Sequence, residues 1–437
     1  MRRAVVVTGV GVVSAFGVGW PAFAQGLSEG RSAVGPIRSF DASTFATQVA
    51  GEVTGALDSA WLQTHLLPWK PASGPGRTAW EAQVAHGAWR DRKVVFGWSA
   101  ALEAWRHARC GAAEAEAGLV MGLGLEQAFL EDVAPLFYDH RIHWLAGNEG
   151  PGLRFRSEVD LCAQAVMGVL DLQGQCVVNA SACAAGGLAV AQAASLIERG
   201  AASIVLCGGA DSMVNPFGLG GMSRLGAPSP RAALDACRPF DQGRDGLVIG
   251  EGAAMLVLES QERAQRRGVQ PLARVLGSGS SQDGYRATAP RPDGAAAVRA
   301  IRQALQQAGL APEQIGHVNA HGTGTPLNDV AEARALRTTF GDHADRLPVS
   351  SIKGAVGHLM AAAGAIEAVA CLLPLCHNLV PGTAHHRHKD PACDIRVVGE
   401  QPETAQVAAV LSNSFGFGGQ NVSLVFGRAD GRDFSAR

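Results

Sequence analysis

Short apolar runs alternate with longer amphipathic or small-residue stretches along most of the chain. The runs at 5–7 and 10–13 predict a buried strand with a glycine turn between them. Further apolar runs at 117–124, 203–209 and 253–258 predict buried strands. Residues 98–109 and 158–170 carry helical spacing, and 175–200 predicts a strand, a tight turn and a helix of small and apolar residues. Residues 41–53 read as a surface excursion with a short strand, 57–92 as irregular, and 216–239 as a loop-rich cover. After a charged turn at 261–268 the alternation starts again. It runs through a strand at 273–278, a helix at 295–308 with Val298, Ile301, Leu305 and Ala308 on one face, and a strand at 317–320. A helix at 331–340 stopped by Gly341, an apolar helix at 361–376 and strands at 407–411 and 422–426 complete it. Alternating strands and helices imply an α/β fold with a mostly parallel sheet covered on both faces. The repeated order of elements implies duplication, with halves at 1–268 and 269–437.

Composition narrows the class. A chain of 437 residues with 47% hydrophobic and 17% charged residues is a well-packed globular protein, not a disordered one. A net charge of −2 gives no support for nucleic acid or a membrane surface as the main partner. Nine cysteines without regular or C-x-x-C spacing point away from a disulfide framework and from zinc, and towards a reducing cytoplasm. No run reads as long and apolar enough to span a bilayer. The start, MRRAVVVTGVGVVSAFG, has the outline of an export signal, but Thr8, Gly9 and Gly11 interrupt it and favour a core strand. Gly9 and Gly11 also form a G-x-G, but Ser14 stands where a dinucleotide fingerprint wants Gly or Ala. Six tryptophans, Trp61, Trp69, Trp80, Trp89, Trp98 and Trp105, crowd one neighbourhood; local core packing is the favoured reason, with an interface or a lid as the alternatives.

Four segments carry chemistry. Cys183 in NASACAAGG stands where a strand ends and a helix begins, and a thiol at a helix N-terminus is expected to ionise readily. His321 in VNAHGTGTPLND and the pair Lys353 and His358 in SSIKGAVGHLMAAAGA supply imidazoles able to donate hydrogen bonds or move protons. SNSFGFGGQN at 412–421 offers backbone N–H groups suited to an oxyanion. In an α/β sheet such strand ends converge on a ligand crevice. The cluster His385, His386 and His388 lacks the spacing of a metal site and reads as a solvated loop.

With these motifs the chain resembles the β-ketoacyl-acyl-carrier-protein synthases of the thiolase superfamily, in their elongating, two-histidine form. The resemblance runs from VVVTGVGVVSAFG through RPFDQGRDGLVIGEGAAMLVLE at 238–259 to FGFGGQNVSLVF. It implies a duplicated α-β-α-β-α five-layer, thiolase-like architecture. It also implies decarboxylative condensation of an acyl thioester with malonyl-acyl-carrier protein, with no metal or other cofactor. Cys183 would carry the acyl group, and His321 and His358 would promote decarboxylation. Lys353 and Glu367 would order the histidine loops, with Phe415 in support. The N–H groups of Cys183 and Phe417 would form an oxyanion hole, and Phe417 would gate the acyl pocket. Thr323 and Thr325 would hold the pantetheine arm. Arg90, Arg92 and Lys93 lie where the carrier-docking surface would begin. The expected partners are an acyl-carrier protein and a second ketosynthase-like chain, as a homodimer or as a heterodimer with a chain-length factor.

The chain departs from the family pattern in places. Gln420 replaces a usual Thr, Ala184 and Ala185 replace common hydroxyl residues, and the segment after Gly122 is shortened. These changes leave chain length and pathway open between fatty-acid synthesis and type II polyketide synthesis, including aryl polyenes. A non-catalytic chain-length-factor role is the alternative, and Cys183 argues against it. A coenzyme A thiolase would need a second cysteine in 415–420, which is absent. An initiating synthase would carry Asn where His358 stands.

Overall fold

The computed structural model describes residues 2–54, 91–111, 114–124 and 160–429, with isolated positions at 78, 81, 137–138 and 141–142. All of the irregular segment expected at 57–92 except 78, 81, 91 and 92, and four of the clustered tryptophans (Trp61, Trp69, Trp80 and Trp89), lie outside the described residues. Trp98 and Trp105 are buried in the core.

Among the described residues, ten strands form one continuous ladder, and Gly17–Val18 pairs beside it. The ten are β1 (Val5–Ser14), β2 (Gly118–Leu123), β3 (Cys176–Asn179), β4 (Ile204–Ser212) and β5 (Glu251–Ser260), then β6 (Ala273–Gln282), β7 (His317–Asn319), β8 (Val349–Ser350), β9 (Ala409–Gly416) and β10 (Gln420–Arg428). The spatial order is β8-β7-β9-β10-β6-β1-β5-β4-β2-β3. Each half therefore has the same internal order, and β1 pairs antiparallel with β6 to join them. The pairing types match too. β2 lies parallel to β3 and β4, as β7 does to β8 and β9. The inner pairs β4–β5, β5–β1, β9–β10 and β10–β6 are antiparallel. The sheet is thus mixed and not mostly parallel. Parallel pairing is confined to the outer strands, because the long inner strands return beside their neighbours without a crossover helix.

Period-two alternation sorts side chains into layers. Leu256 and Leu258 of β5 face a central core, and Met255 and Val257 face an outer one. Both faces are apolar, so the strand reads as a continuous hydrophobic run. The outer helices α1 (Arg92–His107) and α2 (Leu161–Leu170) cover the first half. Helices α4 (Ala295–Ala308) and α5 (Pro326–Phe340) cover the second. Between the sheet halves lie α3 (Ala185–Glu198) and α6 (Ala363–Ala370). This is the five-layer α-β-α-β-α arrangement of the thiolase-like fold. Residues 216–239, read as loop, include a helix at Pro216–Arg224 capped by Asn215. The stretch Met360–His377 is apolar and long enough to cross a membrane by composition, contrary to the sequence reading, but it is buried in the protein. It is broken at Cys371 into two helices, and its apolarity reflects a position in the central layer.

The buried strand expected over 5–13 is present, without the glycine turn expected between its two apolar runs. β1 is continuous, with a bulge between Val7 and Gly9. β6 repeats the bulge between Val275 and Gly277. The G-x-G of β1 serves packing. A Cβ on Gly11 would sit 2.0 Å from the Ala100 carbonyl oxygen of α1. A Cβ on Gly279 would sit 2.1 Å from the Ala300 carbonyl oxygen of α4. Glu103 of α1 accepts from the Val12 N–H at 2.8 Å, and Gln303 of α4 accepts from the Ser280 N–H at 3.1 Å. The same seam is built twice. Gly11→Ala and Gly279→Ala each overpack it, and each is expected to lower stability by about 1–3 kcal/mol. Urea unfolding midpoints check this, and an unchanged midpoint for either variant contradicts it.

Candidate active site

Cys183 sits in a 3-10 turn, Ala182–Ala184, directly before α3. Ala182 has φ 47°, a left-handed conformation that non-glycine residues avoid. The same device recurs before α6, where Met360 has φ 46° and opens the turn Met360–Ala362. The two turns meet because α3 and α6 touch through small residues. A Cβ on Gly364 would lie 2.5 Å from the Gly187 nitrogen. Ala184 and Ala185 are fully buried in this packing, so hydroxyl side chains there would need partners inside a close-packed layer.

One cavity of about 360 Å³ collects the separated motifs. It is lined by Cys183, His321, His358, Phe415, Phe417, Thr323 and Thr325, together with Asn328 and Asn421, which the sequence did not single out. The His321 and His358 rings lie 5.4 Å apart, edge to face, and the Phe415 ring lies 5.6 Å from His321. The Thr323 and Thr325 hydroxyls are 2.8 Å apart. The half-buried Phe417 packs against the apolar cluster around Cys183, beside Met360 and Ile249.

Hydrogen bonds define the imidazoles. The Met360 N–H donates to His358 Nδ1 at 3.1 Å. Lys353 Nζ lies 3.3 Å from His321 Nδ1 and also donates to the His321 carbonyl and to Glu367 Oε1. Each Nδ1 thus acts as an acceptor, and a neutral ring then carries its hydrogen on Nε2. Burial holds both imidazoles well below their ordinary value, and the Lys353 charge adds to the effect. Both rings are neutral N–H donors at neutral pH.

The thiol behaves otherwise than expected. Burial pushes Cys183 up to about 11; the Lys353 charge and the Phe417 N–H on the sulfur pull it down, and the Asp211 and Glu367 carboxylates oppose them. Burial thus works against the helix terminus and favours the thiol form.

Two carboxylates missed in the sequence shape the His321 loop. Glu332 accepts from the His321 N–H at 2.9 Å and the Gly322 N–H at 2.8 Å. Asp329 accepts from the N–H groups of Thr323 at 3.1 Å, Gly324 at 3.2 Å and Phe240 at 2.7 Å. The signal was the pair Thr325-Pro326. Proline at the first helical position starts α5 at Pro326, five residues before the expected 331. That earlier start puts Asp329 and Glu332 three apart on one helix face.

Of the basic residues expected to begin a docking surface, Lys93 is turned inward and Arg92 is partly buried. Arg90 lies outside the described residues. Lys93 is fully buried, with Nζ 3.6 Å from Asp91. Arg92 pairs with the buried Glu251 and donates to the Val53 carbonyl at 3.0 Å. A buried carboxylate needs a cation, and the N-terminus of α1 supplies it inward. Among the described residues no group of three or more His, Cys, Asp or Glu is placed to hold a metal. In the histidine-rich loop, the ring of His385 meets the Cys237 carbonyl at 2.8 Å, and Asp241 accepts from the Arg387 and His388 N–H groups.

A duplicated five-layer fold that gathers a cysteine and two neutral imidazoles into one cavity defines a thioester-condensing protein. The chain belongs to the β-ketoacyl synthase family: it matches the Beta-ketoacyl synthase N-terminal domain over residues 2–264 and the C-terminal domain over residues 272–387. It is 37% identical to the 3-oxoacyl-[acyl-carrier-protein] synthase 2 of Synechocystis sp., an alignment covering 97% of this chain and 98% of that one. Among solved structures it is similar to a type II PKS ketosynthase in complex with its acyl-carrier protein, with TM-score 0.83 and 27% identity over 98% of this chain and 100% of that one. It is also similar to the ishigamide ketosynthase/chain length factor, with TM-score 0.82 and 33% identity over 98% of this chain and 100% of that one.

A thiol raised by burial predicts a steep pH dependence. Alkylation of Cys183 by iodoacetamide, without substrate, is expected to rise roughly tenfold per pH unit from about pH 7 to 9. Peptide mass spectrometry reads this, and a plateau below pH 9 would show that the helix terminus prevails over burial.

Proposed function

We propose that this chain condenses a Cys183-bound acyl group with malonyl-acyl-carrier protein to give a β-ketoacyl thioester. The observation that supports this most is the shared cavity, in which the sulfur meets two imidazoles whose Nδ1 atoms are both engaged as acceptors. In the first step the Cys183 sulfur attacks the acyl carbonyl. The carrier thiol leaves, and the thiol proton goes with it. The N–H groups of Cys183 and Phe417 receive the carbonyl oxygen as it gains charge. In the second step malonyl thioester loses carbon dioxide, and the electron pair moves onto the thioester oxygen. The Nε2 hydrogens of His321 and His358 stabilise that enolate, and neutral rings suit this role because no proton must be transferred away first. The enolate carbon then attacks the acyl-Cys183 carbonyl. The Cys183 thiolate departs and takes a proton from water.

Thr323 and Thr325 line the approach and hold the pantetheine amides. Lys353 is the shared anchor: it fixes His321 at Nδ1 and is neutralised by Glu367. The carrier protein is the substrate-bearing partner, in keeping with the ketosynthase relatives. β3 is the edge strand of the first half, with Cys176 exposed, and it offers a second ketosynthase-like chain a strand to pair with. Keeping Cys183 puts this chain on the catalytic side of any such pair. The departures at Ala184, Ala185 and Gln420 favour a specialised type II polyketide, such as an aryl polyene, over primary fatty-acid synthesis.

Intact mass measured after mixing with acyl-carrier protein is expected to show an acyl adduct on Cys183, absent in Cys183→Ala. His321→Ala and His358→Ala are each expected to slow carbon dioxide release by about 10²–10³-fold. Failure of the wild-type sulfur to load sinks the assignment. Equal turnover of saturated and polyenoyl chains removes the support for a polyene pathway.

A further inference from the structure

The strained turn at Met360 is held from two sides. On one side its N–H donates to His358 Nδ1 at 3.1 Å. On the other, the next N–H, of Ala361, donates to Asp211 Oδ2 at 2.9 Å. Left-handed non-glycine backbone persists only where its surroundings over-determine it. Asp211 is well placed to impose it. The residue is buried at the end of β4, and its Oδ1 accepts from the Ser212 N–H at 2.8 Å. Gly124 leaves the space that the carboxylate occupies, since a Cβ there would lie 2.4 Å from Oδ2. Lys93 and Asp91 at the start of α1 bear on its charge. Glu251 of β5 reaches the same strand end through the Ser212 hydroxyl at 2.8 Å.

We propose that Asp211 is a positioning residue for the decarboxylation step: by anchoring Ala361 it keeps the Met360 N–H on His358 Nδ1, and so keeps the Nε2 hydrogen of His358 available in the cavity. The proposal rests on the condensing role given above to His358. It separates the two half-reactions. The Asp211 charge raises the Cys183 thiol, so its removal does not hinder loading of the sulfur. Loss of the anchor lets the Met360 turn relax and misplaces the hydrogen on which the enolate depends. Displacements of this kind cost on the order of 10²-fold in rate.

The test measures both half-reactions on the full-length protein. Cys183 acylation is followed by intact mass, and carbon dioxide release is followed from malonyl-pantetheine. Asp211→Ala is expected to acylate at least as fast as wild type and to release carbon dioxide about 10- to 100-fold more slowly. Asp211→Asn keeps an acceptor oxygen for the Ala361 N–H and is expected to recover to within about threefold. Should Asp211→Ala fail to fold, Asp211→Ser, whose shorter hydroxyl stops short of that N–H, is expected to show the same split. Equal slowing of both half-reactions, or of neither, overturns the proposal while leaving the enzyme assignment intact. A wild-type protein that performs neither half-reaction overturns the assignment itself, and the proposal with it.

Discussion

Two helices meeting backbone to backbone set the geometry of this protein. Gly186 of α3 faces Ala365 of α6 and Gly187 faces Gly364, with the Ser414 side chain packed against the second pair. The contact brings two duplicate turns to one place. The first turn presents a sulfur and the second follows an imidazole. Larger residues at this seam would push the layers apart, and the cavity would lose one wall. Interiors packed at crystal density do not absorb such a change.

Burial then decides the electrostatics. Lys353 and Glu367 are both about 1% exposed, and Lys353 reaches His321 as well. Removing one partner from a buried pair of this kind costs about 3–5 kcal/mol, because the other charge is left uncompensated. The same dry environment keeps the histidines neutral and favours a protonated cysteine. Burial also pushes Glu332 up to about 7, while the His321 and Gly322 N–H groups work against it. As pH rises through that value, the buried carboxyl ionises at a cost that the unfolded chain does not bear. This group therefore stabilises the fold least at alkaline pH.

Legibility in the sequence followed the chemistry of each residue. Cys183, His321 and His358 stood out because each is flanked by glycines or alanines at the end of an apolar run. A residue so placed has its side chain where strands end and ligands bind. Asp211, Asp329 and Glu332 did not stand out. Acidic residues near a helix start or strand end usually face water, and only the packing of other elements over them reveals a structural charge. Arg92 and Lys93 were misplaced for the converse reason: a basic pair reads as surface until Glu251 and Asp91 are seen buried beside it.

The sequence by itself determined the alternation of elements, the two-fold repetition, the residues of the nucleophile and imidazole motifs, and the family. Those are local properties, carried by periodicity and by residue type. Only the tertiary structure decided that the inner strands run antiparallel, that the G-x-G of β1 and its counterpart in β6 are seams for Ala100 and Ala300, and which hydrogen each imidazole carries. Each of these depends on contacts between residues far apart in the chain. Desolvation, likewise, is a property of the assembled layers and not of any one segment.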